Sequence, residues 1–433
     1  MSAAAYTSPL AEELAPDVLE RFMRYVRVGT QSRRDRVSSP STPGQLELGR
    51  ALADELGSAG LADTELDANG YVTATLPGSA GADEVAIGLI AHIDTSPDAP
   101  GDDVEPLVHR DYAGGVIELP REGTRLDPAS IPELAAKEGH DLVTSSGDTL
   151  LGADDKAGVA EIMAAVAYLA GHPELPRPML RICFTPDEEI GEGATLFDIE
   201  RFGALCAYTL DGSELGELQD ETFSALEAIV TVHGVEVHPG QATGKMVNAL
   251  RIAARIVSSL PANLTPETTK DREGFIHPYE FMGTATRASF RAIIRDFDDE
   301  LLESHLELLR RTAEDIVDMS PRARLEIDVH RQYSNMRRYL DRVPYVTAAA
   351  EAAIRAEGIE PLRSPIRGGT DGSRLSEMGL PTANIFTGGH DYHSVREWAS
   401  VNDMAAAAAT VVRLAEVWTR PEVRDAALSH AGT

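Results

Sequence analysis

The stretch Val85–Asp94, VAIGLIAHID, decides the fold of this 433-residue chain, because it is almost continuously apolar until a histidine and an aspartate end it. Such a run is typical of a strand that is buried on both faces of a sheet. The segment 71–77, YVTATLP, predicts a second strand. Leu48, Leu52 and Leu56 recur every four residues and predict a helix before both strands. The combination predicts an α/β domain.

Length and charge limit the class of protein. A chain of 433 residues exceeds one ordinary core and predicts two domains. The net charge is −31, with 39 Lys plus Arg against 70 Asp plus Glu, so we expect neither nucleic acid nor an anionic membrane as a partner. No leader pattern opens the sequence, and no run reaches the roughly 18 apolar residues of a bilayer span. We therefore expect a cytoplasmic protein, with Cys183 and Cys206 in the core rather than in a disulfide framework.

The order of predicted elements changes near the middle of the chain. Two more buried strands, MLRICFTP (179–186) and LCAYTLDG (205–212), continue the α/β pattern. From about Leu226 the pattern is β-α-β-β-α-β, which is typical of a ferredoxin-like unit. The α/β pattern then resumes. We expect a discontinuous domain formed by 1–222 and 335–433, with 223–334 inserted into it.

Polar residues follow the buried strands of the first domain. His92 and Asp94 lie two apart, so both leave the same face of an extended chain. Asp94 could hold one imidazole nitrogen while the other binds a metal, although a strand end that happens to be polar explains the pair equally well. Asp154 begins the helix of GADDKAGVAEIMAAV (152–166), where backbone N–H groups favour a carboxylate. Plain N-capping is the alternative for Asp154.

Three acids in succession, Asp187, Glu188 and Glu189, end the strand at 179–186. In a confined site their repulsion would be costly unless a cation were bound, whereas a solvated acidic turn needs none. One glutamate could bind the cation while its neighbour stays free as a base.

Asp211 and a histidine, His393 or His390, follow two further strands. The carboxyl ends of strands in an open α/β sheet meet at one crevice. Two histidines and three carboxylates there suit zinc or a similar ion. Three carboxylates and one bridging hydroxide balance the charge of two divalent ions.

Motifs of other enzyme classes are absent from the sequence. GADDKAG lacks the Gly-Lys-Ser/Thr ending of a phosphate loop, and no GxGxxG follows a strand. GxSxG is absent too, so a serine nucleophile elbow has no support.

The sequence resembles the M20 metallopeptidases over nearly its whole length. The motifs that carry the resemblance, in order, are HIDTSPD (92–98), LLGADDKAG (150–158), TPDEEIGEG (185–193), HPGQATGKMVNAL (238–250), IIRDFD (293–298), RGGTDGSRLSEMGLPTANIFTGG (367–389) and YHSVREW (392–398). The resemblance implies a zinc-peptidase-like catalytic domain with a mixed central sheet, plus an inserted ferredoxin-like α+β lid domain.

The resemblance also implies a metal centre of two Zn²⁺ ions per subunit. Asp154 would bridge the ions, and the other ligands would be His92, Glu189, Asp211 and His393. The family motif thereby selects His393 over His390. Asp155 would shape the turn, with a cis peptide bond between Asp154 and Asp155.

Further residues receive roles from the same resemblance. Asp94 would orient His92, Glu188 would act as general base on the metal-bridged water, and His238 would stabilise the oxyanion. Asn248, Arg295 and Arg367 would hold the carboxylate end of the peptide, although ordinary surface hydrogen bonds or salt bridges explain these three as well.

The activity that the resemblance implies is release of the amino-terminal residue from tripeptides, with a small peptide as substrate. An M20-type deacylase or carboxypeptidase acting on N-acyl amino acids is the alternative in the same fold. A binding protein without catalysis would have lost a ligand or the base, and a two-carboxylate glycosidase would leave the histidines without a role. Lid domains of this family often mediate dimerisation, so a homodimer through the lid domain is open.

Overall fold

The computed structural model describes residues 6–80, 82 and 84–431. Two units of the chain pack separately. Unit 1 consists of Met1–Asp220, Arg338–Ser364 and Thr370–Thr433. Unit 2 consists of Glu221–Arg337 and Pro365–Gly369.

The α-helices of the described residues are α1 (Pro9–Tyr25), α2 (Pro43–Ser58), α3 (Pro132–Ala135), α4 (Ala153–Gly171), α5 (Ile199–Phe202), α6 (Ala249–Ser259), α7 (Asp299–Asp318), α8 (Arg337–Leu340), α9 (Tyr345–Ala356), α10 (Asp371–Met378), α11 (Val401–Trp418) and α12 (Pro421–Ala431). Single 3₁₀ turns occupy Glu188–Ile190 and Pro239–Gln241.

The strands are β1 (Ala62–Leu66), β2 (Val72–Leu76), β3 (Ala86–His92), β4 (Leu107–His109), β5 (Ile117–Glu118), β6 (Arg125–Leu126), β7 (Leu142–Thr144), β8 (Met179–Thr185), β9 (Cys206–Leu210), β10 (Glu217–Gln219), β11 (Ser224–His233), β12 (Phe275–Gly283), β13 (Arg287–Asp296), β14 (Arg324–Tyr333), β15 (Leu362–Arg363), β16 (Thr382–Ile385), β17 (Gly389–His390) and β18 (Trp398–Ser400).

An eight-stranded mixed sheet forms the centre of unit 1, in the order β1-β2-β8-β3-β9-β16-β10-β15. Strands β8, β3, β9 and β16 run parallel to their neighbours in that series, while β1 and β2 are antiparallel additions at one edge. The expected α/β fold with a mixed central sheet is confirmed. Because the parallel strands end at one edge, the residues that follow them lie close together.

Helix α4 is buried around most of its circumference, although its sequence predicts an amphipathic helix. The apolar stripe formed by Val159, Ile162, Met163, Val166 and Leu169 is buried, and so are Ala157, Gly158, Ala160 and Glu161 on other faces. A Cβ at Gly158 would lie 1.9 Å from the carbonyl oxygen of Leu210, so only glycine permits this approach of α4 to β9. Helices α1 and α11 pack against α4, which explains the burial of its other faces.

Unit 2 is the predicted ferredoxin-like unit. Its four strands pair antiparallel in the order β12-β13-β11-β14. Helices α6 and α7 cover the sheet, and its core includes Val230, Phe290, Ile294, Leu302 and Leu309. The predicted β-α-β-β-α-β order is therefore confirmed by elements β11 to β14.

A second four-stranded sheet of unit 1, in the order β17-β18-β7-β4, was not predicted. Its strands are only two or three residues long, too short for an alternating or apolar pattern to be visible in the sequence. This sheet places Trp398 in the core and thereby fixes the preceding Glu397.

Both cysteines are buried free thiols, as expected. None of the described helices combines the length and apolarity that a bilayer span requires.

Glu161 generates a stability prediction. Its side chain is fully buried on α4, neither carboxylate oxygen has a hydrogen-bond partner, and burial raises its pKa well above the ordinary value. The folded protein therefore keeps the proton while the unfolded chain loses it, so this residue costs stability increasingly as pH rises above about 4.5.

We expect Glu161→Gln to have a higher free energy of unfolding than the wild type by about 1 kcal/mol or more. The difference should increase from pH 6 to pH 8. Urea unfolding at both pH values measures the difference, with the exposed Glu47→Gln as control. An unchanged difference at the two pH values would show that Glu161 ionises inside the fold.

Candidate metal centre

His92 and Asp94 lie at the carboxyl end of β3, as the sequence predicts. His92 Nδ1 is 3.1 Å from the backbone oxygen of Asp94 and 3.4 Å from its Oδ1, so its Nε2 is the nitrogen that faces the cluster. Asp94 also accepts the backbone N–H groups of Glu188 at 2.9 Å and Glu189 at 3.2 Å. Asp94 thus connects the end of β3 with the acidic turn that follows β8.

The start of α4 presents Asp154 and Asp155 in non-helical backbone conformations, and the bond between them is cis, as expected. Glu397 fixes this loop. Its Oε2 accepts the N–H groups of Leu151 at 2.7 Å and Gly152 at 2.8 Å, and its Oε1 accepts that of Asp154 at 3.0 Å. Gly152 has φ of 83°, which favours glycine at the entry to the helix.

The acidic turn after β8 is fixed by a neighbouring segment. Asp187 Oδ2 accepts the N–H of Ser41 at 2.8 Å, and its Oδ1 accepts from Gln45 Nε2 at 2.8 Å. Asp187 is therefore occupied in hydrogen bonds, which leaves Glu188 and Glu189 to face the cluster.

Asp154 lies between two imidazoles. Its Oδ1 is 2.9 Å from His92 Nε2, and its Oδ2 is 3.2 Å from His393 Nε2. His393 Nε2 is also 2.9 Å from Glu189 Oε2, and His92 Nε2 is 3.7 Å from Asp211 Oδ1. The chain thus brings together all five residues that the sequence singled out as metal ligands.

His390 lies elsewhere. It is buried against the Trp398 ring, with ring centroids 4.2 Å apart, and burial lowers its pKa to about 4. The histidine that approaches Asp154 is His393.

Two groups of side chains have donor atoms spaced closely enough to hold a cation. One is His92, Asp155 and Asp211, and the other is His92, Asp154 and Glu189; within each group the atoms lie within 4.8 Å of one another. A single imidazole nitrogen binds one ion only, so His92 cannot serve both groups at once, and His393 offers a second imidazole. Asp155 was assigned to the turn by sequence reasoning, and its place in the first group is a finding of the structure.

The electrostatics of the cluster favour a cation. Burial raises the pKa of Glu189 to about 7 and raises that of Glu188 and of Asp211 well above the ordinary range. Glu189 Oε1 is buried without a hydrogen-bond partner. Buried carboxylates with unpaired oxygens are stabilised by a bound metal ion, and the imidazole and carboxylate donors suit zinc or a similar divalent ion.

The histidines show the complementary shift. Burial opposes the charge of His92 and His393, but hydrogen bonds from each imidazole to Asp154 outweigh it, so the pKa of His393 rises to about 11 and that of His92 rises well above 6.5. The same two imidazoles lower the pKa of Asp154 although burial opposes this. The imidazoles and Asp154 thus stabilise each other's charged forms.

Sequence reasoning did not single out two acids that lie beside the cluster, Glu397 and Asp371. Glu397 was noted only as part of the YHSVREW motif, and its three hydrogen bonds to the loop at 151–154 give it a structural role. Asp371 lines the same enclosed space as Glu188 and His92 and accepts a 2.7 Å hydrogen bond from Thr185 Oγ1. The motif RGGTDGS (367–373) was the available signal for Asp371.

His238, the predicted oxyanion donor, and the three predicted substrate residues lie in unit 2. His238 is exposed, and its Nδ1 accepts the N–H of Gly240 at 3.2 Å. Asn248 caps α6 by accepting the N–H of Arg251 at 3.1 Å.

Arg295 and Arg367 are neighbours within unit 2. Arg295 Nη1 donates to the backbone oxygen of Arg367 at 3.3 Å, and Arg367 donates to Thr269 and to the backbone oxygen of Glu273. Nη1 and Nη2 of Arg367 are thus occupied, while both arginines keep a buried Nε without a hydrogen-bond partner among the described residues.

Three comparisons with known proteins agree. Residues 149–417 match the model of peptidase family M20/M25/M40. Peptidase T of Bacillus subtilis (strain 168) is 46% identical over 401 residues, covering 92% of this chain and 98% of the relative.

Solved structures share the fold. The crystal structure of aminopeptidase PepT from Bacillus cereus ATCC 10987 superposes with a TM-score of 0.72 at 21% identity, covering 94% of this chain and 99% of that one. A dinuclear metal-binding peptidase of the M20 family from Bacillus subtilis superposes with a TM-score of 0.64 at 15% identity, covering 94% and 98%.

Glu397 yields a prediction for the loop that presents Asp154. We expect Glu397→Gln to lower the free energy of unfolding by about 1–3 kcal/mol, because the amide NH₂ cannot accept a backbone N–H and leaves buried donors unpaired. Urea unfolding of the metal-free protein measures this, and metal content after dialysis should fall in parallel. Stability equal to the wild type would show that the loop does not depend on these hydrogen bonds. The control is Glu422→Gln, at the exposed start of α12.

Proposed function

This chain belongs to peptidase family M20/M25/M40, and we propose that it is a two-zinc aminopeptidase that releases the amino-terminal residue of tripeptides. It is a hydrolase by its family and by its 46% identity to a peptidase T. The observation that carries the two-metal part of the proposal is the position of Asp154, whose two oxygens face two different imidazoles. A carboxylate in that position is suited to bridging two cations.

The proposed ligand sets divide the cluster between two ions. His92, Asp211 and Asp154 would hold one ion, and His393, Glu189 and Asp154 the other, while Asp155 lies close enough to His92 and Asp211 to contribute. When bound, two zinc ions supply Lewis acidity to the scissile carbonyl group and lower the pKa of the attacking water.

Glu188 is the proposed general base. Asp94 accepts its backbone N–H, and the Glu188 side chain lines the same space as His92 and Asp211. The raised pKa of Glu188, caused mainly by its desolvation, suits a group that must hold a proton between two steps.

In the proposed reaction, Glu188 carries one proton from the attacking water to the leaving nitrogen. The Glu188 carboxylate takes a proton from water as the water oxygen bonds to the peptide carbonyl carbon. It then gives that proton to the leaving nitrogen as the C–N bond breaks, which yields a free amino acid and a shortened peptide. His238 would donate to the developing oxyanion. Asn248, Arg295 and Arg367 remain the proposed residues for the peptide's carboxylate end.

The proposal also covers the cellular compartment and the oligomeric state of the enzyme. The buried free thiols Cys183 and Cys206 are consistent with a reducing compartment, and we propose the cytoplasm. A homodimer through unit 2 stays a prediction.

Two substitutions separate metal binding from proton transfer. We expect Glu188→Gln to retain two zinc ions per chain while kcat falls by about 10²–10⁴, because the amide cannot accept the proton. Asp154→Asn should lose metal, because the amide is a poor bridging ligand. Zinc analysis by mass spectrometry and initial-rate kinetics measure both. A Glu188→Gln enzyme of normal rate would remove Glu188 from the mechanism, and a fully loaded Asp154→Asn protein would remove the bridge.

The substrate class is tested by comparing a free tripeptide with its N-acetylated form, using zinc-loaded protein and a chelator-treated control. We expect cleavage of the free peptide from its amino end, loss of activity with the chelator, and slower cleavage of the matching dipeptide and tetrapeptide. Cleavage of the acetylated compound alone would move the protein to the deacylase alternative, which the same fold accommodates.

A further inference from the structure

His393 has a second nitrogen that faces an aspartate outside the candidate ligand set. His393 Nδ1 lies 3.7 Å from Asp98 Oδ2, while its Nε2 faces Asp154 and Glu189. The other oxygen of Asp98, Oδ1, accepts a 2.9 Å charged hydrogen bond from Arg34 Nη2. Arg34, Asp98 and His393 therefore form a continuous series in unit 1 that ends at the cluster.

We infer that Asp98 is a positioning residue for His393, and that Arg34 positions Asp98; the inference rests on the proposed two-metal function. Asp98 would keep the imidazole oriented with Nε2 toward the second ion of the pair, the one assigned to His393 and Glu189. Occupancy of that ion would then depend on the surface loop that carries Arg34.

The physical basis is the chemistry of a metal-binding histidine. When one ring nitrogen binds a metal, the other carries a proton and needs an acceptor, and that acceptor fixes both tautomer and ring orientation. His92 has such an acceptor in Asp94. Among the described residues, Asp98 is the carboxylate that faces the corresponding nitrogen of His393. At 3.7 Å the contact is longer than a hydrogen bond and is electrostatic.

Exposure gives His393 a greater need for a polar partner than His92 has. The His92 side chain is 3% exposed and is held by surrounding atoms, whereas the His393 side chain is 38% exposed. Packing therefore restrains the His393 ring on fewer sides, and its orientation depends more on the groups that face its two nitrogens.

The loop that carries Asp98 is itself held in place. Gln31 Nε2 donates to the backbone oxygens of Ser96 at 2.8 Å and Ala99 at 2.6 Å, and the N–H of Ser32 donates to the oxygen of Thr95 at 3.0 Å. These bonds fix the backbone on both sides of Asp98 from the segment that leads to Arg34. The Arg34 guanidinium then fixes the side chain.

A matched control pair, Arg33 and Asp35, lies on either side of Arg34 in the sequence. Arg33 donates to both oxygens of Asp35 at 3.1 and 3.0 Å, and the side chains of Arg33 and Arg34 are exposed to almost the same degree, 64% and 67%. Substitutions at Arg33 and Asp35 therefore change the same charges in the same segment without touching the partner of His393.

The test is a titration of metal-free protein with Zn²⁺ against a chromophoric competitor, which resolves two binding steps. The titrated variants are Asp98→Asn, Arg34→Ala, Asp35→Asn and Arg33→Ala. We expect Asp98→Asn to weaken one step by about 10–100-fold and to leave the other within about 2-fold. Arg34→Ala should weaken the same step by a smaller factor. Asp35→Asn and Arg33→Ala should match the wild type. The Co²⁺-loaded protein supplies a second readout, since the absorption bands of one ion should shift in Asp98→Asn.

A double substitution separates positioning from general electrostatics. In a His393→Ala background, Asp98→Asn should have no further effect on either binding step, because the residue through which it acts is gone. Wild-type binding by Asp98→Asn, equal weakening of both steps, or the same loss in the His393→Ala background would each overturn the inference. Equal losses in Arg33→Ala and Arg34→Ala would overturn the role of Arg34.

The experiments distinguish failure of the positioning role of Asp98 from failure of the proposed function. A wild-type protein that binds fewer than two Zn²⁺ ions, or that leaves free tripeptides intact, contradicts the proposed function before any variant is made. A wild-type protein that binds two ions and cleaves tripeptides, together with an unaffected Asp98→Asn variant, contradicts the positioning role alone. Arg34→Ala, at an exposed position, keeps the test available if Asp98→Asn does not fold.

Discussion

Buried negative charge is the constraint on which the candidate site depends. The carboxylates of Asp154, Glu189 and Asp211 reach one place from three segments of the chain, and desolvation raises the pKa of the latter two. Two imidazoles offset part of this charge, as the lowered pKa of Asp154 indicates. A buried oxygen of Glu189 still lacks a partner. Such an arrangement is stable with a bound cation and costly without one. A metal site therefore explains these residues better than a solvated acidic turn does.

The acids around the cluster fall into two groups by what their oxygens contact. Asp94, Asp187 and Glu397 accept backbone N–H groups and so fix the three loops that meet there. Asp154 and Glu189 face imidazole nitrogens instead. The first group explains how a charged site can be rigid: each loop is held by an acid from a different segment. Asp98, held by Arg34, extends this arrangement to the surface.

Much of the fold could be predicted from the sequence because the signals are local. The apolar stretch at Val85–Asp94 predicted a buried strand, and the β-α-β-β-α-β order predicted the fold of unit 2. The short strands of the second sheet in unit 1 carry no such signal, since two or three residues show no periodicity. The burial of α4 was also missed, because alanines on its outer faces do not distinguish a helix between neighbours from one at the surface.

The sequence by itself determined which polar residues follow the strands and begin α4, and its resemblance to a known family narrowed these to His92, Asp154, Glu189, Asp211 and His393. The tertiary structure decided their partners. Glu397 holds the backbone of Asp154 across 243 residues, and no spacing rule reports a contact over that distance. Asp155 belongs to a group of donors that could hold a metal ion because β3 and β9 bring His92 and Asp211 beside it. Local pattern fixes where a side chain leaves its own element, whereas strand order and loop closure fix what that side chain meets.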